Sequence, residues 1–479
     1  MNDMILILNY SDEFSMEAAK RLRAEHIFCR IVSGMTTADQ IREIAPRGVL
    51  LTGEPDDGMG VFDAQILELD VPVLALGHAS HMLLAALGGA SAGAAITDRK
   101  AMITYGDSLL FDGVADGERY IPQALTTMLP PDVRMIASAA GCTMAFESTQ
   151  KKQYGAQFEL ERNDPDGTAI LTNFARDICG CNAWWTLDAA IHEARLILDE
   201  AAARGGRAIC AVSGGVDSAV AAMIAHQAFG ERMTAVFVNT GLMREGEAQW
   251  VQQLYEEQGI RLLSIDRSGM VLNALAGKRS TQEKTEVVMR CMREEIERQA
   301  AATPDADTLI LGDNYTDLLR GGADEEWGES GLKALRPLQM FFKSEICDAA
   351  SVLGLSHELV TKKPFPALGL GARIVGEVTP ERLHAIRVAE EIFSREIQEA
   401  GLERRLYKYF PVMIAEHGAM GGEVMILRAV TLSGGQLMPA RLPYDLVERT
   451  VEGILDKAPN VQRVFYDQTP TQVGKETFQ

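Results

Sequence analysis

The sequence predicts an α/β protein built on parallel sheets, with a small α+β unit at its C-terminal end. Three observations carry this. Short apolar runs alternate with segments of helical period through most of the chain, the signature of strand–helix–strand units. At 479 residues the chain is too long for one core and suggests three domains of roughly 150 residues. After Thr379 the alternation gives way to a helix and then a compact β-α-β run.

Taken in order, residues 4–9, 48–52 and 71–76 are buried strands, with "SMEAAKRLRAE" and "TTADQIREIA" as helices between them. "QYGAQFELE" is a later strand of the same layer. "NFARDICGCNAWW" has no clear period and reads as a linker. Thr186 then caps a helix that runs to Arg204 and stops at Gly205 and Gly206. "RAICAV", "MTAVFVNT" and "DTLILG" are the strands of a second α/β unit. "AVAAMIAHQAF" and "FFKSEICDAASVLG" are helices closed by Gly230 and Gly354. A helix over 380–400, strand "EVMILRAVTL", helix "YDLVERTVEGIL" and strand "QRVFYDQ" complete the chain. The expected domains are 1–183, 184–380 and 381–479.

Composition narrows the function. A net charge of −21 repels phosphate backbones, so no nucleic-acid partner is expected, and a small anionic substrate would need its own local basic groups. No stretch approaches the ~20 apolar residues of a membrane span, and the N-terminus reads as a strand rather than a signal peptide. The 7 Cys are odd in number and scattered, which fits a reducing cytoplasm. Cys179 and Cys181 form a lone C-x-C, short of the four ligands that zinc wants. His78 and His81 share a helix face without an obvious acidic or thiol partner.

In "VPVLALGHASHMLLAALGG" a buried strand, a tight turn and a helix follow one another, as in the elbow that presents a nucleophilic Ser or Cys above a parallel sheet. The tip carries Gly77 instead, and Ser80 belongs to the helix.

"ICAVSGGVDSAVAA" is the most informative stretch. Gly214 and Gly215 let the chain turn between strand and helix with amide N–H groups pointing into one concavity, which suits phosphate oxygens. Ser213 and Ser218 add hydroxyls, and Asp217 adds a carboxylate for Mg²⁺. The order lacks the Walker lysine, so the loop is not built around a γ-phosphate.

This loop resembles that of N-type ATP pyrophosphatases, which cleave ATP to AMP and pyrophosphate while adenylating an oxygen. "FVNTGLMREGE", "LGDNYTDLL", "FFKSEI", "PFPALGLGARIVGEVT", "LRAV", "ARLPY" and "RVFYD" resemble segments of GMP synthetases. "GVLLTGEP", the elbow and "YGAQF" resemble that family's class I glutamine amidotransferase domain, and "DICGCNAWW" its linker. The resemblance implies an amidotransferase-like parallel-sheet domain, a PP-loop domain of the adenine nucleotide α hydrolase type and a C-terminal dimerisation domain.

What the resemblance implies for the residues is mixed. In the family the elbow reads "GICxG", and Gly77 falls on its Cys. The family's "QFHPE" reads "QFELE" here, placing Glu159 on the base position and Glu161 on its partner; "SGGP" reads "TGEP", with Glu54 for a Gly. Without a thiolate no thioester forms, so glutamine hydrolysis is expected to be lost. The ATP side is intact. Ser213, Gly214, Gly215, Val216, Asp217 and Ser218 hold ATP phosphates, Val238 and Gly312 complete the nucleotide site, Asp217 and Asp317 hold Mg²⁺, and Lys343 neutralises the departing pyrophosphate. Asp217 and Lys343 are the catalytic pair. The acceptor side departs from the family. The basic lid is replaced by a run with Asp324, Glu325, Glu326 and Glu329. "GPGL" is "ALGL", with Ala367 and Leu368. Thr471 and Gln472 stand where Lys-Pro is expected, and Lys475 replaces that lysine only by a register shift. Cys347 stands in place of an Arg.

The expected protein is a cytoplasmic homodimer, joined through its C-terminal domain. It uses ATP and Mg²⁺ to adenylate a carbonyl or carboxylate oxygen of an unidentified small acceptor, which ammonia or another amine then takes over without glutamine. The alternatives are an ammonia-dependent XMP aminase, a sulfur transferase working through Cys347, and a nucleotide-binding regulator.

Overall fold

The computed structural model describes residues 2–10, 12–53, 63–96, 100–121, 124–160, 165–319, 332–362, 368–415, 422–433 and 436–472. The chain forms two compact units, Met1–Ala189 and Ala190–Gln479.

In the first unit β1 (Ile5–Asn9), β2 (Cys29–Ser33), β3 (Gly48–Thr52) and β4 (Val73–Leu76) pair in parallel. β1, β3 and β4 are apolar almost throughout and buried on both faces, the pattern of a parallel sheet covered by helices. Then come β5 (Ala90–Ile96), β6 (Lys100–Tyr105), β7 (Gly117–Tyr120), β8 (Ala124–Met128), β9 (Val133–Ala139), β10 (Cys142–Ser148) and β11 (Gln153–Ala156). The sheet runs β2-β1-β3-β4-β11-β10-β9-β6-β7 among the described residues, and β5 pairs β8 separately. The expected strand in "QYGAQFELE" is β11, and it joins β4 in parallel. Beyond it the sheet is antiparallel.

The segment read as a linker is part of this unit's core. Asn173–Ile178 is a π-helical turn, and Cys179, Cys181 and Trp185 are buried. The Trp185 ring lies 4.5 Å from Phe28 and 4.5 Å from the Arg23 guanidinium carbon, while Trp184 donates its indole N–H to the Asp3 carbonyl at 2.9 Å. A segment without period is still structural when its aromatics have a pocket to fill. Thr186 then accepts from the Ala189 amide at 3.2 Å, at the start of the helix Leu187–Ala202.

Among the described residues the second unit holds two sheets. β12 (Arg207–Val212), β13 (Met233–Asn239), β14 (Leu262–Asp266), β15 (Ala306–Ile310) and β16 (Lys333–Leu335) form a wholly parallel sheet in the order β14-β13-β12-β15-β16. β17 (Ile374–Val375), β18 (Lys408–Ile414), β19 (Glu423–Ser433), β20 (Gln436–Pro439), β21 (Val461–Tyr466) and β22 (Thr471–Gln472) form a mixed sheet that packs on the helices Pro380–Glu399 and Tyr444–Lys457. Thr379 caps the first of these, accepting from the Arg382 amide at 3.3 Å. One apolar core runs from Leu242, Val271 and Val288 to Ile386, Phe393 and Leu427. The 380/381 boundary read from the sequence falls inside this unit. Lys284, on the capped helix Thr281–Ala302, is fully buried in it and donates to the carbonyls of Gly371 (3.1 Å), Ile374 (2.6 Å) and Gly376 (3.3 Å). Those bonds satisfy an ammonium that would otherwise be costly to bury. Among the described residues no helix is long and apolar enough to cross a membrane.

Trp185→Ala should lower the stability of the first unit by about 3–5 kcal/mol, the usual cost of emptying a buried Trp site. Urea unfolding followed by circular dichroism checks this; a change under about 1 kcal/mol would return the segment to linker status.

Candidate active site

The parallel sheet of the second unit has a topological switch. From β12 the chain moves outward through β13 and β14, then returns to β15 on the other side. The connections after β12 and β15 therefore leave in opposite directions and open a crevice at the strands' C-terminal ends, where ligands bind in such sheets. The Ser213–Ser218 loop follows β12, and Gly312 follows β15.

The loop is held by its own hydroxyls. Ser218 Oγ accepts from the Ser213 amide at 3.0 Å and lies 3.0 Å from Ser213 Oγ, which accepts from the Gly215 amide at 3.2 Å. Gly215 caps the helix Val216–Phe229 without a side chain, and the first helical bond runs from the Ala219 amide to the Gly215 carbonyl. The amides of Val216, Asp217 and Ser218 thus have no intrahelical acceptor, and they carry the positive end of the helix dipole. Gly312 lies against this turn: a Cβ there would come within 2.9 Å of Ser218 Cα and 3.0 Å of its amide nitrogen.

Lys343 opens the helix Lys343–Val352 and reaches Asp217, donating to both carboxylate oxygens at 2.7 Å. Glu345 caps that helix by accepting from the Phe342 amide at 2.7 Å. Every residue read from the sequence as part of the nucleotide site lines one cavity of about 740 Å³: Ser213 to Ser218, Val238, Gly312, Asp317 and Lys343. Val236, Val238, Met292 and Ile296 contribute apolar lining. Asp317 accepts from the Asn314 amide at 3.2 Å. No group of three or more His, Cys, Asp or Glu gathers among the described residues. Of the cavity's carboxylates Glu247 is paired with Lys362 and Asp313 with Arg336; Asp217 and Asp317, without a cage, suit a Mg²⁺ that arrives on substrate phosphates and keeps much of its water. Cys347 also lines the cavity, but burial pushes its thiol up, so it is a poor thiolate at neutral pH.

Sequence reasoning missed Lys362 and Glu247, which line the same cavity and form an ion pair at 2.8 Å. The signal available was a basic residue ahead of "PFPALGL".

In the first unit the elbow is present. Gly77 joins β4 to the helix His78–Ala86 at φ 56° and ψ −128°. A Cβ on Gly77 would overlap the carboxyl of Glu159. Glu159 is buried, and desolvation raises its pKa to about 8, so at neutral pH it is mostly an uncharged acid. Ser80 sits on the helix, its hydroxyl donating to the Gly77 carbonyl at 2.7 Å, and His81 Nδ1 lies 3.0 Å from Ser91 Oγ.

The NAD synthase family matches residues 195–376. A "GMP synthase [glutamine-hydrolyzing]" of Limosilactobacillus reuteri is 31% identical over 508 residues, covering 98% of this chain and 96% of its own. Those of Caldanaerobacter subterraneus and Geobacillus kaustophilus are each 31% identical, over 98% of this chain and 97% and 98% of theirs. This chain belongs to the GMP synthase family. It is an ATP-dependent carbon–nitrogen ligase of GMP synthase type.

Two positions of the elbow are coupled. Glu159 stands in the space that a side chain at position 77 would take, so the two positions constrain each other. Glu54 and Glu161 lie outside the described residues, as do the acidic run with Asp324, Glu325, Glu326 and Glu329, and Ala367 and Lys475. Leu368 is buried in the shared core.

Gly77→Ala should destabilise the first unit by about 1–3 kcal/mol through overpacking and the positive φ, and adding Glu159→Gly should recover part of it. Glu159 has a folded pKa near 8 against an ordinary 4.5, so the fold holds a proton that the unfolded chain releases. Its stabilisation is full below the lower value and fades as pH rises to the upper one. Glu159→Gln, which stays neutral, should therefore gain on wild type in melting temperature from pH 5 to pH 8.5. A constant gap across that range would show that Glu159 titrates normally.

Proposed function

We propose that the chain is an AMP-forming ligase that activates an acceptor oxygen with ATP and takes its nitrogen from ammonia or another amine, not from glutamine. The observation that carries this reading is the single cavity lined by the phosphate loop, Val238, Gly312, Asp317 and Lys343. The occupied elbow supports the absence of glutamine hydrolysis.

The phosphates of Mg-ATP would lie on the loop amides, with adenine against the apolar lining near Val238. Asp217, with Asp317, would hold the Mg²⁺ that enters with the substrate. An acceptor carbonyl or carboxylate oxygen attacks the α-phosphorus, and the bond from that phosphorus to the bridging oxygen breaks. Pyrophosphate leaves with the electron pair, and Lys343 offsets its charge. The amine then attacks the activated carbon, the bond to the adenylate oxygen breaks, AMP departs, and the amine's surplus proton passes to solvent. Preorganised cations and amides stabilise such charge transfer because they need not reorganise during it.

A second reading, an ammonia-fed XMP aminase, is favoured by identity to GMP synthases along 98% of the chain. Against it, Thr471 at the altered C-terminal position is engaged within the fold, where its hydroxyl accepts from Arg428 at 2.7 Å. The raised Cys347 thiol counts against the sulfur-transfer reading. Leu432 and Phe465 stand exposed on the C-terminal sheet, which supports the proposed homodimer; light scattering giving one chain mass would refute it.

Glutamine incubated with protein, Mg-ATP and candidate acceptors should give no glutamate at catalytic rates. Asp217→Ala should weaken Mg-dependent ATP binding in calorimetry, since a metal ligand and its charge are lost. XMP, ATP and ammonium should give no appreciable GMP by chromatography. Robust GMP formation would replace the first reading with the second, and ATP binding without turnover on any acceptor would favour a regulator.

A further inference from the structure

Lys362 is held in an unusual way for a lysine beside a loop. It follows the short helix His357–Thr361, and its Nζ donates to Glu247 Oε1 at 2.8 Å while standing 3.7 Å over the centre of the Trp250 ring. Glu247 and Trp250 belong to one helix, Glu247–Glu257, so carboxylate and ring together fix the ammonium. That ammonium lies on the phosphate loop: a Cβ built on Gly214 would be 3.5 Å from Lys362 Nζ and 3.1 Å from Glu247 Oε1. Both residues line the loop cavity.

Two features go beyond a plain ion pair. An ammonium has three donors, and among the described residues Glu247 is its one hydrogen-bond acceptor, so donors remain for a ligand. Glu247 is buried, and its Oε2 has no hydrogen-bond partner among the described residues. A buried carboxylate that spends only one oxygen on its lysine holds that lysine in place without saturating it.

We propose that Lys362 is a second phosphate cation of this site, donating to phosphate oxygens bound at Gly214, with Glu247 and Trp250 as its positioning residues. The inference rests on the reading of the Ser213–Ser218 loop as a phosphate site. It divides the charge of the triphosphate between two lysines on different elements, Lys343 by Asp217 and Lys362 by Gly214.

The test is calorimetry on the full chain with Mg²⁺, using inorganic pyrophosphate, Mg-ATP and, as a phosphate-free control, adenosine. Lys362→Met should weaken pyrophosphate about ten- to a hundredfold, the worth of a charge-assisted hydrogen bond. Adenosine affinity should stay within about twofold of wild type. Lys362→Arg, which keeps the charge, should recover much of the loss and guards against a simple folding defect. Glu247→Gln should weaken pyrophosphate less, and adding it to Lys362→Met should cost little more, because both act through one contact. Equal pyrophosphate affinity in Lys362→Met and wild type would overturn the inference alone, as would parallel losses of pyrophosphate and adenosine. Failure of wild type to bind either pyrophosphate or Mg-ATP would overturn the loop reading and the inference together.

Discussion

The contact of Gly312 with Ser218 is the constraint on which the second unit's cavity depends. The end of β15 lies so close to the helix Val216–Phe229 that a Cβ at 312 would come within 2.9 Å of backbone. Any side chain there must push strand and helix apart. The displacement would move the first helical turn, whose amides lack intrahelical acceptors, and so reshape the cavity that it lines together with Gly312. A parallel sheet supplies a crevice at its switch point for topological reasons. Whether the crevice has the dimensions of a site is decided by the packing of its two sides, and here a missing side chain decides it.

The chain thus builds a strand–turn–helix corner twice and treats it in opposite ways. At Gly77 the space beyond the turn is filled by the Glu159 carboxyl, from a segment following β11. At Gly214 and Gly215 the turn instead lines a cavity, with Glu247 and Lys362 close over Gly214, and hydroxyls of Ser213 and Ser218 brace the loop from within. Both corners use glycine, for different reasons. Gly77 adopts a positive φ and yields its volume to a neighbour, whereas Gly215 is extended at φ −99° and keeps the approach to the helix amides clear. A buried carboxyl with a raised pKa at the first corner is an uncharged filler at neutral pH, which explains how an acid can stand there with no ion pair to a cation among the described residues.

Much of this is legible in the sequence because parallel strands are buried on both faces and read as unbroken apolar runs. β1, β3, β4, β12 and β13 announce themselves in that way or nearly so, whereas Asp307 and Thr308 leave β15 only a short apolar end. β2 does not announce itself, because Arg30 and Ser33 are exposed and interrupt its apolar run, and the antiparallel wing from β6 to β10 alternates too irregularly to show a period. The helix Thr281–Ala302 is so rich in charge that its apolar stripe is faint, although Ser280 and Glu283 form a capping box at its start. The phosphate loop is legible because its chemistry is local, all within a few residues of one turn. Lys362 is not: its meaning comes from Glu247, 115 positions away, and no local pattern encodes that meeting. The linker reading of "DICGCNAWW" fails for the same reason, since Trp185 is explained by Phe28 and Arg23.

The charge of the chain gives these pairings a common logic. A protein of net charge −21 that handles anions must concentrate cations locally and keep its own acids from cancelling them over distance. In the cavity each lysine is matched to one carboxylate, Lys343 to Asp217 and Lys362 to Glu247. Matching fixes each ammonium in position before a ligand arrives, so less side-chain entropy is lost on binding. It also leaves neither Asp217 nor Glu247 as an unpaired carboxylate beside the loop, which spares the cost of isolated charge. The two pairs then differ in what they leave available. Asp217 gives both oxygens to Lys343, so any cation that takes this carboxylate releases the lysine; Glu247 gives one and keeps the other, so Lys362 stays tethered while its remaining donors have no acceptor among the described residues. One lysine is placed to move and the other to stay, a division suited to a site in which one product must leave while the rest of the ligand is retained.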